Sequence, residues 1–278
     1  MSSIYEVIFY SLIGGLFSLV GGLLLLSSKK RAEKLTMYAT PFAAGALLSA
    51  AFVDLLPEAL HDGDRALTFA LVGILGFFVL ERFLRWFHHH HEHEDEPKAN
   101  HARDPNASLI IIGDILHNFI DGIAIAAGFL VDPSTGVVVT LAVAAHEIPQ
   151  EIGDFALLLH KGLTRKQVLV VNVVSALFTT LAAVIFFQLG QNLVLPLDII
   201  LGVVAGFFVY IAVSDIIPSI HANESKGIAG PQTLLLILGA LIVGLVTSIL
   251  HDYIDQSDHS HNSAQSSQEE HHYDDDHE

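Results

Sequence analysis

Long apolar segments recur along nearly the whole chain, and polar residues collect between them. Eight segments contain about 20 mostly apolar residues each, the length that an α-helix needs to cross the bilayer core. None of them shows the alternating polarity of barrel strands. We therefore predict an all-α integral membrane protein with eight transmembrane helices, at Val7–Leu26, Tyr38–Leu56, Leu67–Phe83, Leu109–Leu130, Val137–Leu159, Gln167–Leu189, Leu197–Ile217 and Gln232–Leu250.

Basic residues indicate how these predicted helices are oriented. Of the 13 Lys and Arg residues, only Arg65 lies in an even-numbered loop between spans. Because cytoplasmic loops of membrane proteins are enriched in Lys and Arg, the odd-numbered loops are predicted to be cytoplasmic. Both termini are then extracytoplasmic, and we expect the protein in the cell membrane, either a plasma or an inner membrane.

Two polar stretches stand apart from the predicted helices. The transmembrane domain covers residues 1–250, and its third loop, residues 84–107, is rich in histidine, including His88, His89, His90, His91 and His93. Residues 251–278 form an extracytoplasmic tail rich in His and Asp. Both stretches are too poor in apolar residues to build a core, so we predict disorder in them. Their imidazole and carboxylate groups suit accessory capture of metal ions.

Composition narrows the function further. The chain of 278 residues is 52% hydrophobic and only 15% charged, whereas soluble proteins are about 25% charged. A net charge of −17 argues against nucleic acid as a partner, because phosphate binding needs clustered cations. The chain has no cysteine, which excludes disulfides and thiolate metal ligands.

The fourth and fifth spans each carry a polar stripe on an otherwise apolar surface. The stripe residues recur at spacings of three and four, so each set lies on one helix face. Ionisable groups deep in a bilayer are costly, and a divalent cation bound by neutral imidazole and ionised carboxylate would offset that cost. The stripes consist of Asp114, His117, Asn118 and Asp121 in the fourth span and of His146, Glu147, Gln150, Glu151 and Asp154 in the fifth.

The depth of the stripes favours transport over the alternatives. A rise of about 1.5 Å per residue puts His117 and His146 near the midplane, where transporters usually bind their substrates. Two other roles remain open, a polar network that only joins helices and a proton relay. The sequence does not match the metalloprotease motif H-E-x-x-H, because Gln150 replaces the second His. We therefore expect no enzyme activity and no catalytic cofactor.

Two motifs on these spans resemble the paired signature of the ZIP family of divalent-metal transporters. The motifs are His117-Asn-Phe-Ile-Asp-Gly122 and His146-Glu-Ile-Pro-Gln-Glu151. The resemblance implies movement of zinc, and often of iron, manganese or cadmium, into the cytoplasm. It also implies helices arranged as three, two and three with an inverted repeat, and a homodimer, as in many members.

The resemblance further implies a two-metal centre between the fourth and fifth spans. His117, Asp121, His146 and Glu151 match metal-binding positions of the family, and Asn118 and Glu147 match ligands of the adjacent second metal. Gln150 stands where the family commonly has a second His, and an amide oxygen is a harder ligand that could favour manganese or ferrous iron. The middle of the sixth span has no carboxylate, and Asn172 and Ser175 are the polar candidates there.

Further polar residues suggest a path for the ion. Asp54 lies inside the second span near its outer end, and Asp114, Asp154 and Asp215 lie toward the cytoplasmic side. The ligands themselves do not encode a direction, so the inward direction depends on the resemblance alone. A metal exporter and a membrane metal sensor that binds without transporting remain as alternatives.

Overall fold

A computed structural model of the chain describes residues 2–89, 106–193, 195–222 and 229–249. Helices dominate these residues, and no strand occurs among them, which confirms the predicted all-α class. In chain order the helices are α1 (Ile4–Ser27), α2 (Lys29–Asp62), α3 (Ala66–His89), α4 (Asn106–Val131), α5 (Pro133–His160), α6 (Arg165–Asn192), α7 (Leu197–Tyr210 continued by Ile211–Ile216 and Ile217–Ala222) and α8 (Ala229–Ile249).

Each predicted span lies within one of these helices, except that Leu250 falls outside the described residues. Within the described ranges, seven helices are long and apolar enough to cross a membrane. The remaining long helix is α5, which has 28 residues but carries Glu147, Glu151 and Asp154 close together. The eight-span count and the three-two-three arrangement therefore stay predictions.

Parts of the predicted polar segments fall outside the described residues. These parts are His90, His91 and His93 of the third loop and the whole tail, residues 251–278. His88 and His89 are the last two residues of α3.

Short polar motifs explain where several helices begin. Ser3 and Glu6 form a capping box at the start of α1, and Thr164 and Gln167 form another at the start of α6. Before α5, the Asp132 side chain accepts hydrogen bonds from the first backbone N–H groups of the helix. Such caps satisfy donors that have no partner within the helix.

Two helices contain a π turn ahead of a proline. In α2 the π turn spans Ala50–Leu55 and Pro57 follows, and in α7 it spans Ile211–Ile216 and Pro218 follows. Proline lacks an N–H and clashes with the preceding turn, so a local change of helical register accommodates it. Asp54 lies inside the first of these π turns, where it is buried.

The helices pack as two groups. In the first helix group α1, α4, α5 and α6 contact one another, and in the second α7 packs against α2 and α3. α8 joins the second group, because a Cβ at Gly45 of α2 would lie 1.9 Å from the backbone oxygen of Leu236 in α8. Such close backbone approach at small residues is typical of helix packing in membranes. The two groups meet mainly where α2 packs against α5.

Candidate metal centre

The two predicted stripes lie on α4 and α5 and face each other between these helices. The His117 Nε2 atom lies 3.2 Å from His146 Nε2 and 3.4 Å from Glu147 Oε1. Asp121 Oδ2 lies 3.3 Å from His146 Nε2 and 3.5 Å from His117 Nε2. One ligand atom from each of the four residues lies within 4.8 Å of all the others. We call His117, Asp121, His146 and Glu147 the metal cluster.

The spacing within the metal cluster matches a zinc coordination sphere. Zinc binds nitrogen and carboxylate oxygen at about 2.0–2.2 Å in a tetrahedron, which puts neighbouring ligand atoms about 3.3–3.6 Å apart. The contacts between histidine and carboxylate atoms run from 3.3 to 3.9 Å. Four ligand atoms at these separations need little rearrangement to surround one ion.

A backbone contact orients one of the two imidazoles. His146 Nδ1 lies 3.0 Å from the backbone oxygen of Ala142, one helical turn earlier in α5. When Nδ1 carries the proton and donates a hydrogen bond to this oxygen, the lone pair of Nε2 points into the metal cluster. Metal-binding histidines commonly have such a hydrogen bond on the second nitrogen, because it fixes both tautomer and ring orientation.

The carboxylates of the site are removed from solvent. Asp121, Glu147 and Glu151 are all buried. Neither oxygen of Glu151 accepts a hydrogen bond within the part of the chain that the structure describes. Glu151 lies one turn beyond Glu147 and is not among the four mutually close ligands. A buried carboxylate without a partner is costly, which makes Glu151 available to a bound cation.

Asn118 faces α6 rather than the metal cluster. Its amide nitrogen donates to Asp114 Oδ1 at 3.0 Å and to Ser175 Oγ at 3.3 Å, and its oxygen accepts from Thr179 Oγ1 at 2.8 Å. The side chain therefore joins α4 to α6 in this structure. Sequence reasoning missed Thr179, although Asn172, Ser175 and Thr179 repeat at helical spacing along α6.

Asn172 lies on the same buried face of α6. Its amide nitrogen donates to the backbone oxygen of Val168 at 2.8 Å. Its side-chain oxygen accepts no hydrogen bond among the described residues. On the face of α6 that carries Ser175 and Thr179, that oxygen is available to a further ligand.

A cavity of about 470 Å³ adjoins the metal cluster. Its walls include both histidines, Gln150 and the two aspartates predicted for the path, Asp114 and Asp154. Several other lining residues lie in the halves of their helices next to odd-numbered loops, namely Thr36, Thr40, Leu80, Glu81, Ile110, Gly113, Ile216 and Ser219, and the rest, such as Phe77, Ile120 and Ile211, lie nearer the helix centres. We call this space the inner cavity, since those loops carry the basic residues. Of the remaining path residues, Asp54 lies in the opposite half of α2, and the side chain of Asp215 is outside the described part.

Aromatic rings from the second helix group cover the two histidines. The ring of His117 has its centroid 5.8 Å from that of Phe207 and 6.5 Å from that of Phe77. The ring of His146 lies 6.2 Å from that of Phe208. Sequence reasoning missed these phenylalanines, because nothing in an apolar helix distinguishes rings that face a metal site from rings that face lipid.

Comparisons with known proteins agree with this geometry. A family model described as ZIP zinc transporter matches residues 2–109 and 90–247. Over 160 residues the chain is 38% identical to human zinc transporter ZIP10, and the aligned segment covers 53% of this chain and 19% of that protein. Over 143 residues it is 38% identical to rat zinc transporter ZIP4, covering 47% and 21%. The chain thus spans about a fifth of the length of these relatives.

Proposed function

Because this chain belongs to the ZIP zinc transporter family, we propose that it carries divalent metal ions, zinc foremost, across a membrane into the cytoplasm. The family and the seven long apolar helices make it an integral membrane protein. The proposal includes α5 as an eighth span, the three-two-three arrangement, extracytoplasmic termini in the cell membrane, and a homodimer. Iron, manganese and cadmium are proposed as further substrates.

One observation carries the proposal. Two imidazole nitrogens and two carboxylate oxygens from α4 and α5 lie within 4.8 Å of one another, and all but His117 of these residues are buried. These ligands would replace the hydration shell of a passing dication. Gln150 and Glu151 lie next to the metal cluster along the chain, and we propose them as ligands of the same centre. Asn118 would serve a second, adjacent ion after its amide turns away from α6.

The inner cavity provides a path on the side where an inward-moving ion would leave. It leads from His117 and His146 past Asp114 and Asp154 toward the loops with basic residues. Those loops are the cytoplasmic ones by the distribution of Lys and Arg. A membrane potential negative inside favours entry by about 2.3 kcal/mol per charge per 100 mV.

Residues away from the metal cluster have proposed accessory roles. Asp54 would attract ions at the outer half of α2, Asn172 and Asp215 would line the path, and the histidines at 88–93 would capture metal in the cytoplasmic loop. The group of Glu58, His61 and Asp62 at the outer end of α2 also brings ligand atoms within 4.8 Å of one another. These roles would tune apparent affinity and leave the metal cluster as the essential site.

Zinc uptake into liposomes that contain the purified chain tests this function. We expect His117→Ala to reduce the initial rate by roughly 100-fold, because the ion loses a ligand that orients it. Glu33→Gln is the matched control, since Glu33 is exposed at the end of α2 with the basic loop and pairs only loosely with Lys29, at 3.7 Å.

The outcomes separate the alternatives. Near-normal uptake by His117→Ala would contradict the assigned site. Zinc binding without flux in the unaltered chain would identify a sensor. Efflux from preloaded cells that express the chain, without uptake by those cells, would identify an exporter.

A further inference from the structure

A second cavity, of about 480 Å³, lies between the first two turns of α4 and of α6. Its volume is in the range of ligand pockets, about 300–1,000 Å³. We call this space the α4–α6 groove, and we propose that it binds an anionic phospholipid, with the headgroup phosphate at Lys166 and an acyl chain along its apolar wall. Its lining residues include Ala107, Ser108 and Ile111 of α4 and Lys166, Val170 and Val171 of α6.

Lys166 gives the α4–α6 groove a positive charge that no acidic residue offsets. The lining contains one cationic side chain and no acidic one. The chain has no Asp or Glu at all from residue 155 to residue 197. Within the described ranges, Lys166 forms no ion pair. An ammonium group with three donors and no counter-charge suits the oxygens of a phosphate.

Two helices begin beside the α4–α6 groove and add to its positive potential. α4 begins at Asn106 and α6 at Arg165, each one residue before a residue of the lining. The first turn of a helix carries the positive end of its dipole, which favours a nearby anion. The Arg165 side chain is engaged elsewhere, because its Nη1 atom donates to the backbone oxygen of Leu26 at 3.4 Å. Lys166 is therefore the cationic side chain that faces the groove.

The apolar wall of the α4–α6 groove continues into an exposed stripe of α6. Val170 lines the groove and is 53% exposed. Val174, Leu177 and Leu181 follow at spacings of four, three and four, so all four side chains lie on one helix face. These three are 45–49% exposed. In a helix that spans the bilayer, such a stripe contacts lipid tails, so an acyl chain that leaves the groove continues along it.

The position of the α4–α6 groove along the helices favours a lipid over a free phosphate ion. The groove lies next to the loop of Lys161, on the side that the distribution of Lys and Arg marks as cytoplasmic. The cytoplasmic leaflet carries anionic lipids that attract basic side chains near the membrane surface. A free phosphate ion would leave the apolar wall at Val170 and Val171 in contact with water, whereas an acyl chain covers it.

Native mass spectrometry of the purified full-length chain in detergent measures lipid binding directly. Dioleoylphosphatidylglycerol is the probe, and dioleoylphosphatidylcholine, which has the same acyl chains but no net charge, is the comparison. We expect the Kd of the first phosphatidylglycerol bound to be about fivefold lower than that of phosphatidylcholine, because this is the effect of one lysine near an anionic lipid. An excess of inorganic phosphate should not displace the lipid, since it cannot cover the apolar wall.

Two pairs of variants locate the binding site. Lys166→Gln should raise the Kd for phosphatidylglycerol about fivefold. Lys34→Gln is its matched control and should change this Kd by less than about twofold, because Lys34 is an exposed lysine at the same end of the molecule that does not line the groove. Val170→Trp would fill the groove and should weaken binding of both lipids by about fourfold or more, the loss of contact for a single methylene group. Leu181→Trp, farther along the same stripe, should leave both Kd values nearly unchanged.

Each contrary result overturns the inference. It fails if the two lipids bind equally well, if Lys166→Gln and Lys34→Gln weaken binding equally, or if inorganic phosphate displaces the lipid. It also fails if phosphatidylglycerol binds only after the carboxylates at positions 92, 94, 95 and 96 are neutralised, because this acidic segment of the chain would then be the occupant of the groove. Lipid binding needs no metal ion, so the test is independent of the proposed transport.

Discussion

The first helix group contains most of the buried polar side chains that the structure describes, whereas the second has fewer and packs mainly through small and apolar residues. In the first group, Asn118 joins α4 to α6 through Ser175 and Thr179. That network already links these helices. The carboxylate of Glu151 accepts no hydrogen bond among the described residues and adds nothing to such linkage, so its burial points to a ligand and not to packing.

The second helix group has one well-defined ionic link among the described residues, at its outer end. Arg65 donates from Nε and Nη2 to the two oxygens of Asp198, both at 2.8 Å. Bidentate pairs of this kind are strong and directional. The pair also explains why Arg65 alone lies in an even-numbered loop, since it forms an ion pair with a buried aspartate at the start of α7.

Neutralising one buried aspartate in each group should give the largest contrast. We expect Asp121→Asn to reduce zinc uptake by roughly 100-fold, because the metal cluster loses a charged ligand. Asp198→Asn should leave uptake within about twofold and lower stability by about 1–2 kcal/mol, since Arg65 stays largely solvated. Liposome uptake and thermal unfolding measure the two effects. Equal loss of uptake in both variants would contradict the assignment of metal binding to the first helix group alone.

Two glycines of α4 test how tightly the first group is packed. A Cβ at Gly122 would lie 2.1 Å from the backbone oxygen of Thr179, whereas a Cβ at Gly113 would meet nothing within 4 Å. We expect Gly122→Ala to destabilise the protein by about 1–3 kcal/mol and Gly113→Ala to leave its thermal midpoint nearly unchanged. Similar midpoints for both variants in detergent would show that α4 and α6 are not in close contact.

The smallest expected effect concerns metal preference. Gln150→His would add an imidazole to the wall beside His146 and should shift the uptake ratio of zinc to manganese upward by about threefold to tenfold. Gln191→His, exposed in the last turn of α6, is the control and should leave the ratio unchanged. Competition uptake of the two metals gives this ratio. A fall in the ratio would mean that residue 150 does not face the ion.

Local patterns were enough to predict the helices and the paired stripes. Apolar length is a property of one segment, and each predicted span lies inside a helix as far as the described residues reach. The facing of His117 and Asp121 toward His146 and Glu147 also followed, because spacings of three and four set one face of each helix and matching depth aligned the two. That pairing needed no knowledge of the other helices.

Features that depend on residues distant in the chain could not be predicted from the sequence. The π turn at Ala50–Leu55 reflects how α2 accommodates Pro57 while packed against α7, and an apolar span shows no trace of it. Glu81 was not singled out in the sequence, because its partner Tyr210 lies 129 positions away. The orientation of Asn118 toward α6 depends likewise on hydroxyls from another helix.

Phe207 and Phe208 are neighbours in α7, yet their rings contact imidazoles on different helices of the opposite group. An axial shift of α7 by the rise of a single residue, about 1.5 Å, would take both rings out of register with those imidazoles in the same movement. Both imidazoles would then lose their aromatic neighbours together. One dipeptide thus couples the packing around the two histidines to the axial position of α7.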